Sequence, residues 1–261
     1  MRISWTSKTL GLLAMALAGG GLSYGGTFYG TSIPIPAGLV EGDTFQFVFV
    51  TSETYAATST NISDYNADVT TSANEPTSLV NGLGITWSVL GSTAAVNVLQ
   101  NIVNTSPGTP GFGGIFDLGG NQIADGTETT PNGLYSGNLQ NPLDMTEYGT
   151  TVPLNTSLSY AFTGTDAGGT TSAYPLGGSP TFVSIGLFGW TNGYWTQHNP
   201  EWDDWTYYTY SLYAISNPLE LGPNNTLEVV TPEPATDAMT LLGLAVCYLT
   251  SRRTGRTRGH R

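Results

Sequence analysis

The chain has 261 residues, of which 39% are hydrophobic and only 10% charged, with a single cysteine, Cys247. All seven Lys and Arg residues sit near the ends (Arg2 and Lys8, then Arg252, Arg253, Arg256, Arg258 and Arg261), while all 19 Asp and Glu residues lie between Glu41 and Asp237. A body without cations has no footprint for phosphates, which excludes nucleic acid and acidic headgroups as its partners; without cysteine pairs it must hold itself together by packing.

In chain order, Arg2 and Lys8 form a positively charged start, Leu10 to Leu17 an apolar run, and Ala16-Leu17-Ala18 a small-residue cleavage site. That order predicts a signal peptide over 1–18 cleaved after Ala18, with a cut near Gly25 as the alternative. The body, 26–220, is rich in Gly, Ser, Thr and Asn, a composition that favours β structure with many turns. Period-two patterns predict strands at Thr44–Thr51, at Ile85–Ser92, around Leu158 to Phe162, around Val183 to Leu187, and at Tyr207–Ser216. Period-3.6 patterns predict two short helices, Asn61–Asn74 with Thr60 or Asn61 as cap, and Thr93–Asn104. Gly119-Gly120-Asn121 between two apolar pairs predicts a hairpin. The Pro-containing stretch 221–231 reads as a spacer.

From Thr231 a Pro-Glu-Pro box (232–234) is followed by an apolar run (238–250) and a basic tail (252–261). The apolar run is short beside the roughly 20 residues that cross a bilayer core. Arginines clustered after it predict a cytoplasmic tail and an extracytoplasmic body. Pro232, Glu233 and Pro234 with Arg252 and Arg253 resemble the PEP-CTERM sorting signal of bacteria that build exopolysaccharide. The resemblance implies Sec export, an exosortase as processing partner, and membrane retention through a C-terminal helix.

A second resemblance runs from about 44 to 216. Its carriers are Phe49-Val50-Thr51-Ser52, Asp64-Tyr65-Asn66, Gly82-Leu83-Gly84 with Thr86-Trp87, Leu90-Gly91-Ser92-Thr93, Ile115-Phe116-Asp117 with Ile123-Ala124-Asp125-Gly126, and Phe162-Thr163-Gly164-Thr165-Asp166. The series is similar to the endostatin-like branch of the C-type lectin fold. It implies an α+β, β-rich single domain with two short helices, flanked by the signal peptide and the membrane helix. The animal members' paired cysteines and their histidine and arginine clusters for zinc and heparin are missing, so only the fold carries over.

Catalysis narrows by subtraction. A serine triad would need His198, the only histidine before the tail, and no nucleophile elbow lies near it. Zinc ligands, a Schiff-base lysine, an arginine clamp and a body thiolate are missing from the residue types. A two-carboxylate glycoside hydrolase survives on residue types alone. Trp190 to Tyr213 concentrates aromatic residues, and Trp195, Trp202 and Trp205 are candidates for stacking on sugar rings, with core packing as the competing role. Asn199, Glu201 and Asp203 alternate along the same segment and could offer oxygens to calcium, weakly, since the turn glycine of an EF-hand is missing. The expectation is therefore a non-enzymatic, membrane-sorted extracytoplasmic protein of the envelope or exopolysaccharide matrix, with no required cofactor. A lectin-like carbohydrate-binding module and a glycosidase are the alternatives.

Overall fold

The strand expected from Thr44 is the spine of the molecule. In the computed structural model, which describes residues 27–106, 108–129, 131–153, 159–178, 182–198, 200–202 (backbone only) and 208–230, β1 spans Thr44–Val50. Alternation sends Phe45, Phe47 and Phe49 into one apolar cluster and Val48 and Val50 into a second. Both faces are covered, so β1 is a central strand rather than a half-exposed one. On the second face Gln46 is fully buried. Its amide donates to the Ser216 carbonyl at 2.8 Å and its oxygen accepts from Thr105 Oγ1 at 3.1 Å, which satisfies a polar group that burial would otherwise penalise.

Along one edge β1 pairs in parallel with β3 (Phe112–Asp117), which turns back antiparallel as β4 (Gln122–Ala124). The Asp117 carboxylate accepts from the Gly119 and Asn121 amides, both at 2.9 Å, and from the Asn121 side chain at 2.8 Å, which closes that hairpin. Along its other edge β1 pairs antiparallel with β8 (Tyr213–Ser216) and β9 (Leu219–Leu221). Beyond them lie β2 (Trp87–Val89) on β8 and β10 (Leu227–Val229) on β9. The sheet therefore has seven strands and forks beyond β1. A second sheet of three antiparallel strands holds β5 (Tyr160–Phe162), β6 (Phe182–Leu187) and β7 (Pro200–Trp202).

The first expected helix is present. α1 spans Ile62–Ala73, and Asn61 caps it by accepting from the Ser63 amide. Tyr65, Val69 and Ala73 face the core, and the Asn66 side chain accepts from Val89 N–H at 2.8 Å, pinning α1 to β2. The second helix is far shorter than the expected Thr93–Asn104: α2 spans Val98–Asn101. Thr93 instead bridges to Leu176, and Asn97 with Gln100 forms a capping box that starts the helix late. Ile102 already has extended backbone, and Val103 is exposed rather than part of a buried stripe.

Other boundaries also differ, and the Ile85–Ser92 run forms a strand only over Trp87–Val89. The Tyr207–Ser216 run forms a strand only from Tyr213, because Tyr210 bridges to Tyr55 and Ser211 to Ala161 before the chain joins β1. Within the stretch 221–231 read as a spacer, the described residues 221–230 supply the end of β9 and the whole of β10, with Leu227 opposite Leu221 and Val229 opposite Leu219. Leu221 is buried, so this hairpin belongs to the core rather than to a linker. The molecule is thus α+β and β-rich, with two helices packed on a branched sheet. The segments read as a signal peptide (1–18) and as a sorting signal (232–261) lie outside the described residues. Among the described residues, no helix is long and apolar enough to cross a membrane.

Candidate functional site

Of the three tryptophans offered as a sugar platform, Trp195 lies in the core. Trp195 is 1% exposed, its ring 5.4 Å from that of Tyr135 and 5.6 Å from that of Tyr213. It closes a single 3-10 turn, Gly193–Trp195, in which Asn192 accepts from the Tyr194 amide. Beneath that turn the Trp195 carbonyl lies so close to Gly186 that a Cβ there would collide with its oxygen. Trp195 is therefore a core residue, and the turn reaches the sheet because Gly186 has no side chain. Trp202 ends β7 with its backbone opposite Phe182, and Glu201 lies opposite Val183. Trp205 lies outside the described residues, as do Asn199 and Asp203 of the calcium candidate. Pro232, Glu233, Pro234, Arg252 and Arg253 lie outside them as well. Among the described residues, no group of three His, Cys, Asp or Glu is placed to hold a metal ion.

What the fold does present is a different aromatic pair. Trp190 is 47% exposed and Tyr194 46% exposed, although Trp195, next in the chain, is buried. The rings of Trp190 and Tyr194 meet edge to face at 5.6 Å and 66°, and the His198 ring stands against Tyr194 at 5.3 Å. The Leu139 N–H donates to the Thr191 carbonyl, and Asn138 bridges Asn192. This pairing lays the 190–194 segment beside an open pocket of about 290 Å³ lined by Thr129, Pro131, Asn132, Ser136 and Asn138. Asn132 holds a left-handed backbone (φ 68°) before Gly133, and a 3-10 turn, Leu134–Ser136, follows. These pocket residues escaped the sequence reading. The Asn-Gly pair was the one signal there, and it marks a turn rather than a site.

Several of the described carboxylates brace turns and loops of the fold. Glu147 is fully buried, accepting from the Ser52 amide at 2.9 Å and from Ser52 Oγ at 2.5 Å. Burial pushes its pKa up, and the hydrogen bonds from Ser52 oppose that shift. Asp68 and Asp144 are likewise raised, first by burial and then by Asp64 and Asp117 respectively. Asp166 closes a turn by accepting from the Gly168 and Thr170 amides at 3.0 and 2.8 Å. Hydroxyl contacts take the place that ion pairs fill elsewhere: Ser92 pairs with Thr165 at 2.8 Å and Ser184 with Ser172 at 2.9 Å, and Thr163 donates to the Thr196 carbonyl at 2.5 Å. Compared with known proteins, the chain matches no family model and none of the curated proteins.

Proposed function

We propose that the chain is an exported, membrane-sorted extracytoplasmic protein of non-catalytic type, associated with the cell envelope or the exopolysaccharide matrix. The single observation that carries this reading is the partition of charge. Every Lys and Arg flanks one of two apolar segments, and the 19 carboxylates all lie between them. Arginines beyond the second apolar run hold that end in the cytoplasm and leave the acidic body outside. The Pro232-Glu233-Pro234 box supplies the recognition element of an exosortase substrate, with Arg252 and Arg253 as the stop signal.

The body supports this reading as one domain with its ends together. The Tyr29 N–H donates to the Asn225 carbonyl at 2.8 Å, so the chain enters and leaves on the same side. For its fold we propose the endostatin-like C-type lectin arrangement. The support is a first long strand, β1, followed by a helix and paired with a strand from near the end of the body, β8.

The test acts on the box. Replacing Pro232, Glu233 and Pro234 with alanine in a host that has an exosortase should leave export intact and abolish processing of the tail. Unchanged processed and membrane-retained forms would overturn the assignment.

A further inference from the structure

We infer that the surface formed by Trp190, Tyr194 and the adjoining pocket at Thr129, Asn132, Ser136 and Asn138 binds a neutral polysaccharide. The inference stands apart from the sorting assignment, because it rests on the folded body alone. Large aromatic rings are ordinarily buried, and this fold buries Trp195 while leaving the two aromatics that precede it, Trp190 and Tyr194, about half exposed. The edge-to-face contact at 5.6 Å and 66° gives two ring faces set at an angle, with Tyr194 held in the turn that Asn192 caps. Such faces match the C–H surface of a pyranose, which is apolar above and below the ring while its hydroxyls point sideways.

The neighbouring pocket supplies the complementary chemistry. Its polar groups are hydroxyls and amides from Thr129, Asn132, Ser136 and Asn138, each able to donate and accept, as sugar hydroxyls require. The Asn138–Asn192 bridge ties the two halves into one surface, so a chain of several sugar units could lie on the rings and reach the pocket. Charge decides which polysaccharide. From Thr9 to Ser251 there is no Lys or Arg to receive a uronate, sulfate or phosphate, and the carboxylates of the body repel all three. A polymer of neutral hexoses is the occupant that fits.

The full chain, purified in a zwitterionic detergent that carries no sugar, can be run in native gels containing dextran, mixed-linkage β-glucan, mannan, galactan or alginate. At least one neutral polymer should retard it, and alginate should not. The Trp190→Ala/Tyr194→Ala double variant should lose at least about tenfold in apparent affinity while its melting temperature holds, since both rings are half exposed. Trp190→Phe should keep most of the binding. Failure of all four neutral polymers to retard the chain would overturn the proposal, as would parental affinity in the double variant or equal retardation by alginate. Should the double variant not fold, Asn138→Asp, which keeps both rings and adds charge to the pocket, must weaken binding comparably or the proposal falls. None of these outcomes depends on tail processing, so failure here and failure of the sorting assignment are read separately.

Discussion

A buried carboxylate without a cation is the defining problem at the residue scale, and Glu147 shows how this protein meets it. Two hydrogen bonds from Ser52 hold it, yet burial still raises its pKa above the ordinary 4.5. The native state therefore binds this proton more tightly than the unfolded chain does. The resulting stability is fully present below the unfolded pKa and is lost as pH rises through the folded one. Asp68 and Asp144 shift in the same direction. Melting temperature should thus climb as pH falls from neutral toward about 4.5, and Glu147→Gln should flatten that climb while keeping the contacts with Ser52. Glu147→Leu, which removes both hydrogen bonds from Ser52, should cost about 1–3 kcal/mol in denaturant titrations at neutral pH. A parent with flat pH dependence between neutral and mildly acid conditions would show that these carboxylates are not coupled to folding. Trp195 carries the opposite kind of stake. Seated between Tyr135 and Tyr213, it should cost about 3–5 kcal/mol when cut to alanine, with the loss read in unfolding rather than in ligand binding.

Strands β9 and β10 make the case at the element scale. Their hairpin is short, and its apolar residues, Leu219, Leu221, Leu227 and Val229, meet in two cross-strand pairs. Between those pairs Glu228 lies directly opposite Glu220, a like-charge contact in a sheet that has no cation nearby in sequence to relieve it. Directly opposed like charges destabilise a ladder, and an opposite-charge pair contributes about 0.2–1 kcal/mol. Glu228→Lys should therefore raise stability by about that amount, and the gain should shrink in high salt. A drop in melting temperature at low salt would mean that the register differs from Glu228 opposite Glu220. The hairpin escaped the sequence reading because two strands of three residues offer too few alternations to stand out, and the prolines around them argued for a linker. β1 was legible for the converse reason: seven residues of apolar alternation leave one interpretation. The second helix shows the limit of periodicity. A stripe at Val96, Leu99, Ile102 and Val103 has helical spacing, but the capping box at Asn97 and the Thr93–Leu176 bridge claim the residues around it.

Across the whole molecule the uncompensated charge sets the response to solvent. Nineteen carboxylates with no Lys or Arg among them repel one another more in the compact state than in the unfolded chain. Raising ionic strength from about 0.01 M to about 0.15 M shortens the screening length from about 30 Å to about 8 Å. Melting temperature should rise over that interval, and calcium compared with sodium at equal ionic strength separates ion binding from screening. A melting temperature indifferent to ionic strength would mean that the carboxylates are too dispersed for repulsion to matter. The same charge pattern explains why so many buried polar contacts here are hydroxyl to hydroxyl or hydroxyl to carbonyl.

Charge partition, apolar runs, caps and strand alternation are local properties, and the amino-acid order alone determined them: an acidic, cation-free body, a long first strand, a capped first helix and the Asp117 hairpin. The roles of individual aromatic residues are not local. Trp190, Tyr194 and Trp195 stand within six residues of one another and are chemically alike, yet burial divides them. That division follows from Gly186, which lets the turn seat Trp195 against the sheet, and from Tyr135 and Tyr213, which arrive from distant segments to enclose it. The pocket at Thr129 to Asn138 is set in the same way, by the Asn138–Asn192 bridge across more than fifty residues of chain. Only the tertiary structure could decide these points, because burial depends on which distant surfaces meet.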